Sequence, residues 1–392
     1  MTPDNLEVTE ISVPVPCGFI RGKKWLNHSD AQGTTGDEEY ERMLAIHGWQ
    51  DNCGTFDTLI PQLVAGRNMI IVAIDLPGHG LSSHFPAGCP YSDLNYVMDI
   101  KRVMKYYNWN KVSLIGHSMG GYVSIFFASL FPDLVDKVIS LDIIKPLTFK
   151  SDDLSRSTAN AVETFLSIES KLFSSETQPT YTYEEGRKRL IQAHSKLGLL
   201  TDEAAEILLK RGSKPVTKSE GTKETGNGSE GDQITFTRDP RLRAIFFTRL
   251  DTLTVKAYLA SIKCKLLVIK SKDGIKLDED EVTDDFIQLY RNSCSSFTYA
   301  EIEGQHHVHL CQPHFVSPVI RSFLDSKLEP MTKLETEQVT NGTFVNGAIS
   351  NGVKSNGSAN GSAKTVDISI KKIGDGMKKV LNVDDVIYSK NT

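Results

Sequence analysis

Val112-Ser113-Leu114-Ile115-Gly116-His117-Ser118-Met119-Gly120-Gly121-Tyr122-Val123-Ser124-Ile125-Phe126-Phe127-Ala128 is the stretch whose reading decides the fold of this chain. An apolar strand-like run enters a G-x-S-x-G turn, and a helix-like apolar run leaves it. A serine at such a junction is forced into a strained backbone, and its hydroxyl projects clear of the sheet edge. Gly116 and Gly120, two residues either side, are required because a Cβ there would strike the neighbouring strand or helix. The N–H of Met119 opens the helix and faces the place where negative charge would develop. The turn reads as a mount for a nucleophile.

Further short apolar runs lie on both sides of it. Met43-Leu44-Ala45-Ile46 runs into His47-Gly48-Trp49, and Met69-Ile70-Ile71-Val72-Ala73-Ile74 into Asp75-Leu76-Pro77-Gly78-His79-Gly80. Val138–Leu141, Leu266–Ile269 and Ser296–Ile302 supply later strands, while Leu6–Leu26 alternates well enough for two strands joined near Pro16-Cys17-Gly18. Val97, Ile100, Met104 and Tyr107 fall on one helical face. Strands alternating with helices imply a mostly parallel sheet covered on both faces. The rhythm stops over residues 146–261, where the sequence offers helical stretches and no buried strand, so a helical cap is expected there. Within it, residues 212–233 are almost free of large apolar side chains and read as a floppy insertion. Residues 1–145 and 262–328 then form the core. From residue 329 to 392, Asn-Gly recurs at Asn341, Asn346, Asn351, Asn356 and Asn360 without flanking strands, which predicts a disordered low-complexity tail.

The composition excludes several functions. A net charge of −5 gives no basic field for nucleic acid. No apolar run approaches the roughly 18 residues of a membrane span, and the first residues lack the plan of a secretion signal. Cys17, Cys53, Cys89, Cys264, Cys294 and Cys311 are scattered without a C-x-x-C pair, so reduced thiols and a cytoplasmic location are expected. No cofactor signature is present. The histidines at 306, 307 and 309 crowd one loop with no carboxylate or cysteine near them in the sequence, so no metal is expected.

A serine hydroxyl needs a base to take its proton, and the base needs an orienting acid. In a parallel-sheet enzyme the chain order is Ser, acid, His. Asp273, one short turn past Leu266–Ile269, is the expected acid. Asp142, at the end of the preceding strand, is its rival on the same edge. The base is His306 or its alternate His307, after the last strand; His309 reads as a structural hydrogen-bonding group. The oxyanion donors are the N–H groups of Met119 and Trp49, the latter after the tight turn at Gly48.

Together, His47-Gly48-Trp49, Asp75-Leu76-Pro77-Gly78-His79-Gly80-Leu81-Ser82, Gly116-His117-Ser118-Met119-Gly120-Gly121 and Gly304-x-His306-His307-x-His309 resemble the α/β-hydrolase superfamily over about residues 8–328. Phe236-Thr237-Arg238-Asp239-Pro240-Arg241-Leu242 and the His-His-Val-His stretch narrow the likeness to the animal serine hydrolase-like proteins. The resemblance implies an α/β-hydrolase fold, with an eight-stranded sheet and an inserted cap, and a Ser–His–Asp mechanism. Spacing to Leu310 and Pro313 points to His306, whereas counting from Gly304 points to His307. Lys270 departs from the family pattern, which has glycine at the start of the acid loop.

The expected activity is hydrolysis of a small, fairly apolar ester or thioester through an acyl-enzyme. The expected partner is that small molecule alone; the sequence names no protein partner. A carbon–carbon bond hydrolase would use the same triad. A non-catalytic scaffold that binds a ligand or partner is the reading from a different class, and a complete triad weighs against it.

Overall fold

The computed structural model describes residues 5–28, 40–174, 179–196, 198–216 and 233–326. The Asn-Gly tail and most of the expected insertion (217–232) lie outside them. The alternation of the first residues produces an antiparallel pair, β1 (Leu6–Val15) and β2 (Gly18–Asn27). Six strands then follow: β3 (Glu41–Ile46), β4 (Met69–Ile74), β5 (Val112–His117), β6 (Val135–Leu141), β7 (Lys265–Asp273) and β8 (Ser296–Gln305). They form one eight-stranded sheet in the order β1-β2-β4-β3-β5-β6-β7-β8. All pairings from β4 to β8 are parallel. This is the mostly parallel sheet that the sequence pattern predicts.

The central strands bury both faces, which is why they read as continuous apolar runs. Leu44 and Ile46 point to one layer, with helices α1 (Asp93–Tyr106) and α2 (Met119–Leu130). Met43 and Ala45 point to the other, against helix Pro313–Leu324. Parallel pairing places the carboxyl ends of β3, β5, β6 and β7 side by side, and chemistry on such sheets gathers at that edge.

The insertion carries helices α3 (Leu154–Phe173), α4 (Tyr183–His194) and α5 (Asp202–Gly212). Thr182 and Glu185 form the capping box that opens α4. The cap is not purely helical: Gln233–Phe236 pairs antiparallel with Tyr181–Thr182 on one side and Ser213–Pro215 on the other. The ends of the expected floppy segment thus belong to a small sheet. Two- to four-residue strands are too short to show a period, so the sequence hid them. Ile234 anchors this sheet among Leu190, Leu208 and Leu209, with Leu310 of the core completing the cluster.

Two arginines fasten the cap to the core. Arg241 donates to Asp239 and to the carbonyls of Phe85, Pro86 and Cys89. Arg211, at the end of α5, donates through Nε to Asp75 at 2.8 Å and through Nη1 to Glu10 at 2.7 Å. Asp75 also accepts from the N–H groups of Cys53 and Leu81, so it pins two core loops as well. Among the described residues, no helix is long and apolar enough to cross a membrane.

The tightest joint is the start of α2. A Cβ on Gly120 would stand 1.9 Å from the carbonyl oxygen of Ile46 in β3, and one on Gly116 would stand 2.2 Å from Gly120. These are backbone contacts with no side chain to swing aside. Gly120→Ala is expected to destabilise the fold by about 3 kcal/mol, at the upper end for overpacking. Urea unfolding of the two proteins side by side checks this.

Candidate active site

Ser118 joins β5 to α2 with φ 51° and ψ −116°, a left-handed φ that costs a non-glycine residue energy. Its N–H is held by the carbonyl of Leu141 in β6 at 3.0 Å, which fixes the strained turn from the next strand. The side chain is half-buried. Met119 begins the helix, so its N–H is one of the donors without an intrahelical partner. The loop after β3 lies against this turn. A Cβ on Gly48 would be 3.4 Å from Cβ of Ser118, so Trp49 is carried past the serine by a residue with no bulk. The Trp49 indole donates to the carbonyl of Leu242 in the cap, 3.0 Å away. His47 holds the same loop: Nδ1 donates to Gly48 O and Nε2 accepts from Leu76 N–H.

The acid beside the imidazole is Asp142, not Asp273. His306 Nδ1 donates to Asp142 Oδ2 at 2.6 Å, and both side chains are buried. Asp273 is exposed at the end of β7, paired in register with Gln305 across a bulge. The reason lies in the segment between them. Lys270 Nζ reaches Asp142 Oδ1 at 2.7 Å and the Asp142 carbonyl at 3.0 Å. The N–H groups of Ser271 and Ile275 donate to the same carboxylate, each at 3.0 Å. Gly274 lets this turn close, since a Cβ there would come within 2.2 Å of Asp142 Oδ1. The turn after β7 therefore cradles an acid delivered by β6. Asp142 itself takes φ 60°, which aspartate tolerates better than most residues.

Burial opposes the charge on Asp142, but Lys270 and His306 more than offset it and hold the carboxyl well below its ordinary range. Burial, with His117 alongside, pushes the His306 imidazole down to about 4 in spite of Asp142. The ring is thus neutral near pH 7, with its proton on Nδ1 and a lone pair on Nε2. That is the tautomer a general base requires.

The loop carrying His306 is seated on the nucleophile turn itself. His117 Nε2 donates to the carbonyl of His306 at 3.0 Å, and their ring centroids are 4.5 Å apart. His307 faces elsewhere: its Nε2 lies 3.2 Å from Asp51 Oδ2. His309 Nε2 lies 2.9 Å from Thr55 Oγ1. The contacts thus join His306 to Asp142 and, through His117, to the turn that carries Ser118, while His307 lies on Asp51 and Asp273 is exposed at the end of β7.

Sequence reasoning missed Asp51 and His194. Asp51 supplies the carboxylate that the histidine loop lacks in the linear sequence. Burial works against its charge, yet His307, His117 and His194 keep it well below the ordinary range. Asp51 lies two residues past Trp49, a signal that was available. His194 ends a polar cap helix, and nothing in the sequence distinguishes it. A cleft opens where the cap meets this loop, lined by Gln50, Asp51, Leu190, Leu208, Phe236 and Arg238.

Residues 41–313 match the family described as alpha/beta hydrolase fold. The chain belongs to that family. This α/β-hydrolase is 34% identical over 316 residues to the "Probable serine hydrolase" of Drosophila melanogaster, covering 80% of this chain and 87% of the fly protein. It is 33% identical over 338 residues to the "Serine hydrolase-like protein" of Danio rerio, covering 85% and 93%. The crystal structure of a hypothetical protein from Pseudomonas aeruginosa PAO1 superposes with a TM-score of 0.64 at 27% identity, over 82% of this chain and 99% of that one.

The Asp142–His306 bond has a direct signature. A proton shared between buried imidazole and carboxylate gives a far-downfield 1H resonance. Asp142→Asn is expected to abolish that resonance and Asp273→Asn to leave it in place, as read from 1H NMR spectra of the purified variants.

Proposed function

We propose that this chain is a serine hydrolase acting on a small, fairly apolar carboxylic ester or thioester. Ser118 attacks the carbonyl while His306 Nε2 takes its proton. Asp142 holds the imidazole in its tautomer and stabilises the imidazolium that forms. The N–H groups of Trp49 and Met119 receive the tetrahedral oxyanion. His306 then returns the proton to the leaving alcohol or thiol, and a water activated by the same imidazole resolves the acyl-enzyme.

One observation carries this reading. His306 is gripped at both ends, its ring by Asp142 and its carbonyl by His117, the residue directly before Ser118. An imidazole tied in this way to the residue before a strained, half-buried serine supports the reading, since alcohol attack needs a positioned base. Residue 118 is serine rather than the aspartate of epoxide hydrolases and haloalkane dehalogenases, which favours acyl transfer. The six cysteines are unpaired, which fits a reducing compartment, and we place the protein in the cytoplasm on that ground.

A fluorophosphonate probe is expected to label the wild-type protein at Ser118 and to leave Ser118→Ala unlabelled. With a short-chain aryl ester, Asp142→Asn should lower kcat about ten-thousand-fold, the scale of an acid lost from such a triad. Asp273→Asn should stay within a few-fold of wild type. Equal turnover by wild type and Ser118→Ala would mark the protein as a binding scaffold instead.

A further inference from the structure

Beside the triad lies a second buried group whose hydrogen bonding does not close. Asp51, from the loop after β3, sits among three imidazoles from three other segments: His117 of β5, His194 at the end of α4, and His307 of the last loop. Asp51 Oδ2 is 3.2 Å from His307 Nε2 and 3.6 Å from His117 Nδ1, and Asp51 Oδ1 is 3.8 Å from His194 Nε2. All four side chains are buried, with Asp51 3% and His117 1% exposed.

Two of these rings have their tautomer fixed by main-chain acceptors. His117 Nε2 faces the carbonyl of His306, and His194 Nδ1 faces the carbonyl of Leu190 at 2.8 Å. A carbonyl only accepts, so each of those nitrogens carries the proton. The opposite nitrogens, His117 Nδ1 and His194 Nε2, are both aimed at a carboxylate, and a neutral ring so protonated presents only a lone pair there. Lone pair facing lone pair in a buried site is unfavourable. Accordingly, Asp51 Oδ1 and His117 Nδ1 have no hydrogen-bond partner among the described residues.

A cation between them removes the conflict. We propose that Asp51, His117, His194 and His307 bind one divalent transition-metal ion of the zinc class. Imidazole nitrogens with a carboxylate are donors that such ions favour. Bonds of roughly 2.1 Å in a tetrahedron set neighbouring donor atoms about 3.4 Å apart, and the distances from Asp51 Oδ2 to His307 Nε2 (3.2 Å) and His117 Nδ1 (3.6 Å) bracket that spacing. The donor atoms of Asp51, His117 and His307 already lie within 4.8 Å of one another, and His194 Nε2, 3.8 Å from Asp51 Oδ1, is placed to supply the fourth bond. The carbonyls of His306 and Leu190 are the outer partners that metal-bound histidines ordinarily have. His307 moves its ring proton to Nδ1 on binding, so no net proton is lost. The four donors come from core and cap together, and the ion ties one to the other. This replaces the sequence-based expectation of no metal site, because the missing carboxylate arrives from a loop more than two hundred residues away. The inference stands whether or not Ser118 is a nucleophile.

The test uses the full chain, stripped with a chelator and titrated with Co2+ and, in competition with a chromogenic chelator, with Zn2+. One equivalent is expected to bind, with the intense visible absorption of four-coordinate Co2+ and without the charge-transfer band of thiolate ligation. Asp51→Asn should abolish the spectrum, and His194→Gln should weaken Zn2+ binding at least tenfold. His194 lies on the cap, so its replacement spares the core, and circular dichroism confirms that both variants fold. Zn2+ should raise Tm of the wild type and not of Asp51→Asn. Absence of Co2+ binding by the wild type, a thiolate spectrum, or unchanged affinity in folded His194→Gln would each overturn the proposal.

Discussion

A buried carboxylate held by groups from four directions organises the active edge of this protein. Asp142 leaves β6 in a left-handed conformation and meets the Lys270 ammonium, one main-chain N–H near the end of β7 and one from the turn after it, and the His306 ring. An isolated charge at that depth would be costly by several kcal/mol, and removing one member of such a set leaves the rest uncompensated. The arrangement therefore selects itself as a unit: the lysine, the glycine at 274 and the histidine loop each require the aspartate. Through the His117–His306 contact the same unit reaches the turn at Ser118, so the two geometries are set together.

The sequence is most readable where backbone sterics leave no choice. The junction at Ser118 shows itself because a strand-like run changes to a helical one across two obligatory glycines, and the structure finds backbone atoms where their side chains would be. The order of strands follows from apolar runs buried on both faces. The acid is another matter. Asp142 and Asp273 end adjacent parallel strands, and local pattern treats them alike. The decision rests on where Lys270 points and how the 271–275 turn closes, which are tertiary facts. Lys270 was visible as a departure from the family pattern, and it is the residue that makes the difference. His194 and the short cap strands left no trace, since one imidazole in a polar helix and strands of two to four residues carry no periodicity.

Histidine is used here for three different purposes within a few ångströms. His306 presents a lone pair, His309 anchors a threonine hydroxyl, and His117 braces the loop above the serine while turning its other nitrogen to Asp51. What separates these roles is the acceptor each ring finds for its single proton. The partners differ accordingly: a carboxylate for His306, a hydroxyl for His309 and a main-chain carbonyl for His117.

The seam made by Arg211 bears on how anything enters the cleft. Its guanidinium reaches from α5 to a fully buried carboxylate at Asp75 and on to Glu10 of the edge strand. Lifting that corner would strand the Asp75 carboxylate in the interior without its cation. Entry to the cleft by lifting α5 is therefore the costly route, because the seam is held by charge as well as by packing.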